Sequence, residues 1–196
     1  MRKFKTDERL SKIVSVASSR QFSLKVVMEN IHDPHNVSAV FRTCDAVGIP
    51  KVTLLYTFEA FPRIGKTSSS SANKWIETEK FKDTKKCFDE IHSQGFKIYA
   101  SMLNKNAVNL YDLDLTQKVA LVFGNEHRGV SPDSEKLADE TFYIPMRGMI
   151  QSLNVSVAAA VSLYEAQRQR ALKGMYEKSE LQQEELEKLI DKWCEK

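Results

Sequence analysis

The chain lacks several features that would place it in a common class of protein. No run of residues is long and apolar enough to span a bilayer, and the N-terminus, MRKFKTDERL, lacks the apolar stretch of a signal peptide. The cysteines are odd in number, far apart and outside any metal-ligand spacing, which is typical of reduced thiols: Cys44, Cys87 and Cys194. These absences predict a cytoplasmic protein without a metal site.

Two nucleotide-binding signatures are also missing. No GxGxxG follows any apolar run, so dinucleotide binding has no support. The glycine-bounded loop 124–129 is not a phosphate loop, because Val130 and Ser131 stand where lysine and serine or threonine would be needed. His32 and His35 have no matching third ligand, so turn packing is a better default for them than metal binding.

What the chain does contain is a regular alternation of strand-like and helical segments. Its 196 residues are 42% hydrophobic, which fits one domain with terminal appendages and a sizeable core. Strands apolar on both faces, separated by helices, predict an α/β fold with a parallel sheet flanked by helices. Strands are predicted at 24–28, 51–56, 96–101, 118–123 and 141–144, and helices at 37–47, 84–93, 132–138 and after Asn154.

The two ends of the chain differ in charge. Residues 1–22 are predicted to form a basic helical arm, which indicates either a nucleic-acid contact or a solubilising surface helix. Residues 23–170 would form the main domain and 171–196 a helical extension that packs on the domain or on a second subunit. Within the domain, 57–74 is rich in loop-forming residues, including four consecutive serines at 68–71, and is predicted to be a mobile loop.

Three polar segments follow predicted strands: 29–36, 124–129 and 144–154. Ligands of open parallel sheets bind beyond the carboxyl ends of the strands, where these segments would meet. Singly, their residues have structural explanations. Asn36 and Asn154 are candidate N-caps, Arg42 a candidate surface ion pair, and Glu126 a candidate acceptor for backbone N–H groups. Their joint presence at one sheet edge favours a ligand site.

Three motifs in order resemble those of the SPOUT-class RNA 2′-O-ribose methyltransferases. They are NVSAVFRTCDAVG (36–48), LVFGNEHRGVS (121–131) and IPMRGMIQSLNVSVAAAVSLYEAQRQR (144–170). The chain is most similar to the TrmH subgroup, which methylates guanosine-18 in the D loop of tRNA. The resemblance implies a C-terminal deep trefoil knot, a homodimer, S-adenosyl-L-methionine as cofactor and tRNA as partner. Two alternatives stay open: the same chemistry on ribosomal RNA or the tRNA wobble nucleotide, and a catalytically silent RNA-binding protein.

The resemblance also assigns residues. It implies a cofactor pocket formed by Ser101, Gly124, Ile144, Met146, Ser152 and Leu153. It implies a catalytic set of Arg42, Asn36, Glu126, Ser152 and Asn154. In the family the residue at Arg42 is proposed as the general base for the ribose 2′-OH, activated by an RNA phosphate. Since a guanidinium with a pKa above about 12 is a poor base, Arg42 could instead clamp the phosphate or steady the developing alkoxide.

Basic residues at both ends of the domain are candidate RNA contacts. Phosphates are bound by lysine and arginine side chains, and such contacts make affinity depend on salt. The candidates are Arg2, Lys3, Lys5, Arg9, Lys12, Arg20, Arg168 and Arg170, together with His35, for which turn packing is an equal alternative.

Overall fold

The computed structural model describes residues 2–62 and 72–196, except for the side chain of Lys3. The serine run 68–71 and the predicted RNA contact of Lys3 therefore lie outside the described residues. The strands are β1 Leu24–Glu29, β2 Lys51–Leu55, β3 Glu77–Phe81, β4 Lys97–Ser101, β5 Val108–Asn109, β6 Val119–Phe123 and β7 Glu140–Tyr143. The α-helices are α1 Asp7–Ser18, α2 Pro34–Ala46, α3 Thr84–Ser93, α4 Pro132–Leu137, α5 Val155–Leu172 and α6 Gln183–Cys194.

The described strands form one parallel sheet in the order β3-β2-β1-β6-β4-β7-β5. The central strands β1 and β6 are buried along their whole length, which explains their continuous apolar runs. The predicted parallel α/β architecture is therefore confirmed. Two strands escaped prediction because β3 (ETEKF) is a largely polar edge strand and β5 has two residues.

Helices cover both faces of the sheet. On one face α2 and α5 pack against each other over the larger core cluster, which includes Phe41, Leu121 and Leu163. On the other face α3 contributes Phe88 and Ile91 to a second cluster against β4 and β6. Within the described ranges, no helix is long and apolar enough to cross a membrane.

The start of α2 differs from the prediction. The helix begins at Pro34, whose fixed backbone angle suits a first helical position, and Asp33 is the N-cap, accepting from the backbone N–H of His35 at 2.8 Å. The N-cap expected of Asn36 is therefore wrong. Asn36 lies inside the first turn, and its side chain is free for another contact. At α5 the expectation is confirmed, because Asn154 Oδ1 accepts from the Ser156 backbone N–H at 2.8 Å.

The terminal helices form a smaller cluster of their own. Ile13 and Ala17 of α1 pack against Leu186, Ile190 and Trp193 of α6. The predicted basic arm and helical extension are thus in contact with each other. Their division from the main domain at residues 22 and 170 stays a prediction.

Candidate active site

A cleft of about 920 Å³ lies beyond the carboxyl ends of the adjacent strands β6, β4 and β7. That volume is in the range of small-molecule sites. Its walls combine the apolar side chains of Phe123, Phe142 and Leu153 with the polar segments 124–129 and 144–154. All the residues predicted to bind a cofactor line it, namely Ser101, Gly124, Ile144, Met146, Ser152 and Leu153.

The loop after β6 is closed on itself by backbone contacts. Asn125 and Gly129 exchange N–H to O hydrogen bonds of 2.9 and 2.8 Å. A Cβ on Gly124 would lie 2.1 Å from the carbonyl carbon of Gly129, so this approach requires glycine. Asn125 Oδ1 also accepts from the backbone N–H groups of His127 and Arg128. The loop is therefore a fixed support for Glu126.

Glu126 joins this loop to the one after β1. Its Oε2 accepts from the His32 backbone N–H at 3.0 Å, and its Oε1 accepts from Asp33 N–H at 3.1 Å and from Asn36 Nδ2 at 2.9 Å. Burial opposes ionisation, but the hydrogen bonds from Asn36 and from backbone N–H groups hold the pKa of Glu126 below its usual value. A carboxylate so stabilised is a weak base, so the geometry favours positioning over proton abstraction by Glu126.

Asn30 connects two loops through hydrogen bonds, a role that its sequence context did not predict. Its φ is +50°, and its Oδ1 accepts from the backbone N–H groups of Thr57, Phe58 and Glu59. Its own carbonyl accepts from Asn125 Nδ2 at 2.8 Å. The available signal was an asparagine directly after a buried strand, since asparagine tolerates the left-handed region and bonds nearby backbone.

Most of the segment between β7 and α5 has a backbone that forms no hydrogen bond with the described residues. No hydrogen bond joins the backbone of 146–153 to another residue in the part of the chain that the structure describes. Several of these residues line the cleft, including Met146, Gly148, Gln151 and Ser152. The N-terminal end of α5, with its partial positive charge, lies at the same wall. Free N–H and C=O groups here can bind a ligand directly.

The side-chain amide of Asn154 has one polar atom, Nδ2, that remains available to hydrogen-bond a ligand. Its Oδ1 is occupied by the N–H and hydroxyl of Ser156, at 2.8 and 2.6 Å. Its Nδ2 donates to no residue within 2–62 or 72–196, and Asn154 lines the cleft. The cap thus fixes the side chain while leaving a donor.

Arg42 stands apart from the other candidate catalytic residues. It lies on α2 six residues beyond Asn36, about 9 Å along the helix axis, and does not line the cleft. Its side chain is exposed and has no ion pair or hydrogen bond with another described residue. The ordinary surface ion pair considered as its structural role is therefore not formed with the described residues.

Two of the predicted RNA contacts are contradicted by burial. Arg170 is 0% exposed, and its guanidinium is surrounded by acceptors: Leu115 O, Gln21 Oε1, Ser23 Oγ, Ser23 O and Gln117 O. Arg20 is 1% exposed and binds Asp45 and the carbonyl of Ile49. Neither guanidinium can reach a phosphate from these positions, so both predictions are wrong.

The other basic residues predicted to bind RNA differ in whether their side chains form ion pairs. Arg2 is paired with Glu187 and Asp191 on α6, and Arg168 is exposed but pairs with Glu165. Lys5, Arg9, Lys12 and His35 form no ion pair within the described ranges. Their contacts with RNA, and those of Arg2 and Arg168, stay predictions. Among the residues described, no group of three His, Cys, Asp or Glu could hold a metal ion.

Comparison with known proteins gives a consistent set of relatives. The model of the SpoU rRNA Methylase family matches residues 23–164. A tRNA (guanosine(18)-2′-O)-methyltransferase of Thermus thermophilus is 41% identical over 98% of this chain and 98% of its own. The enzyme of the same name from Escherichia coli is 39% identical over 93% of this chain and 80% of its own.

Solved structures resemble the fold closely. The crystal structure of the A. aeolicus TrmH/SpoU tRNA modifying enzyme has a TM-score of 0.90 and 41% identity, covering 96% of each chain. The SpoU methyltransferase AviRb from Streptomyces viridochromogenes, solved in complex with AdoMet, has a TM-score of 0.70 and 25% identity, covering 79% of this chain and 62% of AviRb.

Proposed function

The chain belongs to the SpoU rRNA Methylase family, and from that premise we propose that it is a methyltransferase that transfers a methyl group to the ribose 2′-OH of guanosine-18 in tRNA. The assignment of guanosine-18 in tRNA as the substrate rests on one observation. Along nearly its whole length, the chain is about 40% identical to enzymes named for that reaction. The cleft and the loops around it supply the residues that such a reaction requires.

The cleft fits S-adenosyl-L-methionine. Apolar walls suit a planar adenine, and the unpaired backbone of 146–153 offers the N–H and C=O groups that would recognise its edge. Residues that would hold the cofactor are Ser101, Gly124, Ile144, Met146, Ser152 and Leu153. When bound, the cofactor supplies an electrophilic methyl group on a sulfonium sulfur.

Each polar residue then has a distinct part. The fixed Asn36–Glu126 hydrogen bond would orient the loop that meets the ribose, while the free Nδ2 of Asn154 and the hydroxyl of Ser152 would hydrogen-bond the ligands. Arg42, exposed and without a described partner, is free to hold an RNA phosphate beside the reacting 2′-OH. Its positive charge would also lower the energy of the alkoxide that forms as the proton leaves.

We also propose a homodimer formed through the outer face of α5. Val157 and Tyr164 are 45% and 55% exposed on this helix, and Leu172 is exposed at its end. An apolar stripe on an otherwise packed helix is typical of a subunit interface. Sedimentation of the unmodified protein as a monomer at micromolar concentration would refute the dimer. The trefoil knot implied by the resemblance, and a cytoplasmic location, stay predictions.

The alternative substrates have weaker support. A 23S rRNA (guanosine-2′-O-)-methyltransferase of Acinetobacter baylyi is 36% identical, but over 76% of this chain and 60% of its own. A structure described as concerning methylation of C/U34 on tRNA is 27% identical over 76% of this chain. A silent RNA-binding protein is disfavoured because Asn36, Glu126, Ser152 and Asn154 are present in one constellation.

The decisive experiment uses one tRNA in two forms. Labelled S-adenosyl-L-methionine is incubated with the protein and a tRNA transcript, and the modified nucleotide is mapped. A matched transcript carrying 2′-deoxyguanosine at position 18 is the control, because it keeps the base and removes the acceptor oxygen. We expect label at guanosine-18 and none on the deoxy transcript. Label at another nucleotide would overturn the assignment of guanosine-18 as the substrate. No transfer to any RNA would favour the catalytically silent RNA-binding protein.

A further inference from the structure

A second cleft lies near the opposite, amino edge of the sheet, between the terminal helices α1 and α6 and the end of α2. Its volume is about 220 Å³. We call it the tryptophan cleft, and its defining residues are Arg9, Lys12, Arg20, Asp45, Trp75 and Trp193. None of the roles proposed above for the active site uses its two tryptophans.

The aromatic part of the cleft is an edge-to-face pair. The rings of Trp75 and Trp193 are 5.2 Å apart at 64°. Trp193 is buried, whereas Trp75 is partly exposed. The guanidinium of Arg20 lies 5.1 Å from the Trp193 ring, and that of Arg9 lies 5.4 Å from the Trp75 ring. The buried Trp193 ring therefore packs against a partly exposed Trp75 ring that lines the cleft.

The charge around these rings is unbalanced. Asp45 pairs with Arg20, but Arg9 and Lys12 have no ion pair within the described ranges. Arg20 Nε is buried and has no hydrogen-bond partner among the described residues. Burial, and then repulsion from Lys192, lowers the pKa of nearby Lys196, whose ammonium lies 5.6 Å from the Trp75 ring. The cleft thus combines an aromatic surface with the cationic side chains of Arg9 and Lys12, which no described carboxylate pairs.

We propose that the tryptophan cleft binds one nucleotide of the RNA substrate, with its base stacked on Trp75 and its phosphate held by Arg9 and Lys12. Base stacking on an aromatic ring beside cations is the general mode by which proteins hold single-stranded nucleotides. The volume is below the roughly 300–1,000 Å³ of pockets for whole small molecules, which fits a single residue of a polymer. The identity of the polymer rests on the proposed function.

The position of the cleft agrees with a continuous RNA path. Helix α2 carries Asn36 near the active-site cleft and Asp45 at the tryptophan cleft, about 14 Å apart along its axis. Arg42 precedes Asp45 by three residues and is therefore on the same side of the helix. A strand whose phosphate meets Arg42 would have its neighbouring nucleotides directed along α2 toward Trp75.

The protein provides its own reporter for this site. The chain contains two tryptophans, Trp75 and Trp193, and both line the cleft. We would titrate the full chain with a tRNA transcript and follow tryptophan emission, excited at wavelengths where nucleobases do not absorb. We expect saturable quenching, and Trp75→Leu should weaken RNA binding by roughly 5- to 150-fold, the range for one stacked base.

A charge variant keeps the proposal testable if Trp75→Leu does not fold. Lys12→Glu should abolish most of the quenching and weaken the dependence of affinity on salt by about one phosphate contact. Lys178→Glu is the matched control, because Lys178 is exposed, has no described ion pair and lies outside the cleft. Equal quenching in the two variants would overturn the proposal. So would quenching by a free ribonucleoside monophosphate that the tRNA does not displace.

A methyl-transfer assay distinguishes failure of the nucleotide site from failure of the proposed enzyme function. Transfer to guanosine-18 without quenching would refute the nucleotide site and leave the enzyme assignment intact. Quenching that is lost in Lys12→Glu but not in Lys178→Glu, without transfer to any RNA, would support the site and refute the enzyme assignment.

Discussion

The polar groups at the two edges of the sheet have opposite roles. At the carboxyl edge, asparagine amides and one carboxylate hold the loops in place, and the backbone of 146–153 is left without described partners. At the amino edge, the guanidinium groups of Arg20 and Arg170 are buried and bind carbonyl oxygens of the chain itself. The carboxyl edge thus keeps hydrogen-bonding groups available for a ligand, whereas these two buried arginines at the amino edge join segments of the chain.

The difference shows why residue type alone is a poor guide to RNA contacts. Arg168 and Arg170 are two residues apart on α5, yet the side chain of Arg168 is 59% exposed and that of Arg170 is 0% exposed. The buried guanidinium satisfies carbonyls from residues before β1 and before β6. Such acceptors would be left unpaired without it, which makes Arg170 a stabilising residue.

The largest expected effect is a loss of stability when the buried Arg170 at the amino edge is replaced. Arg170→Met removes a buried cation from several acceptors and should lower the free energy of unfolding by about 3–5 kcal/mol, measured by urea denaturation. Arg168→Met, on the same helix but exposed, should cost less than about 1 kcal/mol. Equal losses in the two variants would remove the contrast between the buried and the exposed arginine.

The next prediction concerns the arginine without a described partner. Arg42→Ala should reduce turnover by about 10²–10³-fold, because a cation that would stabilise the developing charge is lost, while the cofactor affinity stays near normal because Arg42 does not line the cleft. Arg42→Lys should also lose turnover if planar phosphate binding is required. Single-turnover methyl transfer and equilibrium cofactor binding measure the two quantities. Near-normal turnover in Arg42→Ala would remove this residue from catalysis.

A smaller effect is expected at the carboxyl edge when Glu126 is neutralised. Its folded pKa lies below the unfolded value of about 4.3, so its contribution to stability is present above that pH and is lost as pH falls through the folded pKa. Glu126→Gln should therefore be less stable than the unmodified protein at neutral pH, with the difference shrinking in acid. Melting temperatures between about pH 6 and pH 3 measure this. A constant difference would contradict the assigned role.

Much of the fold could be predicted because short-range patterns of apolar residues determine its strands and helices. The central strands are continuous apolar runs and the helices have periodic apolar faces, so their alternation predicted the parallel sheet. The helix at Thr84–Ser93 was predicted with its observed bounds. β3 was missed because its residues are polar at the sheet edge, and α2 begins three residues earlier than predicted because Pro34 starts it.

The candidate site was predictable as a set of loops rather than as a set of contacts. All six predicted cofactor residues line one cleft, because strands of a parallel sheet direct their loops to the same edge. The hydrogen bond from Asn36 to Glu126 and the role of Asn30 depend on how separate loops meet. No local pattern carries that information.

The sequence by itself determined the alternation of strands and helices, the three polar loops and their resemblance to a methyltransferase family. Tertiary structure alone decided which cations are free, since burial of Arg20 and Arg170 depends on segments distant in the chain. It also decided that Trp75 and Trp193 meet. The physical reason is that apolar periodicity is a property of neighbouring residues, whereas the environment of a single side chain is set by long-range packing.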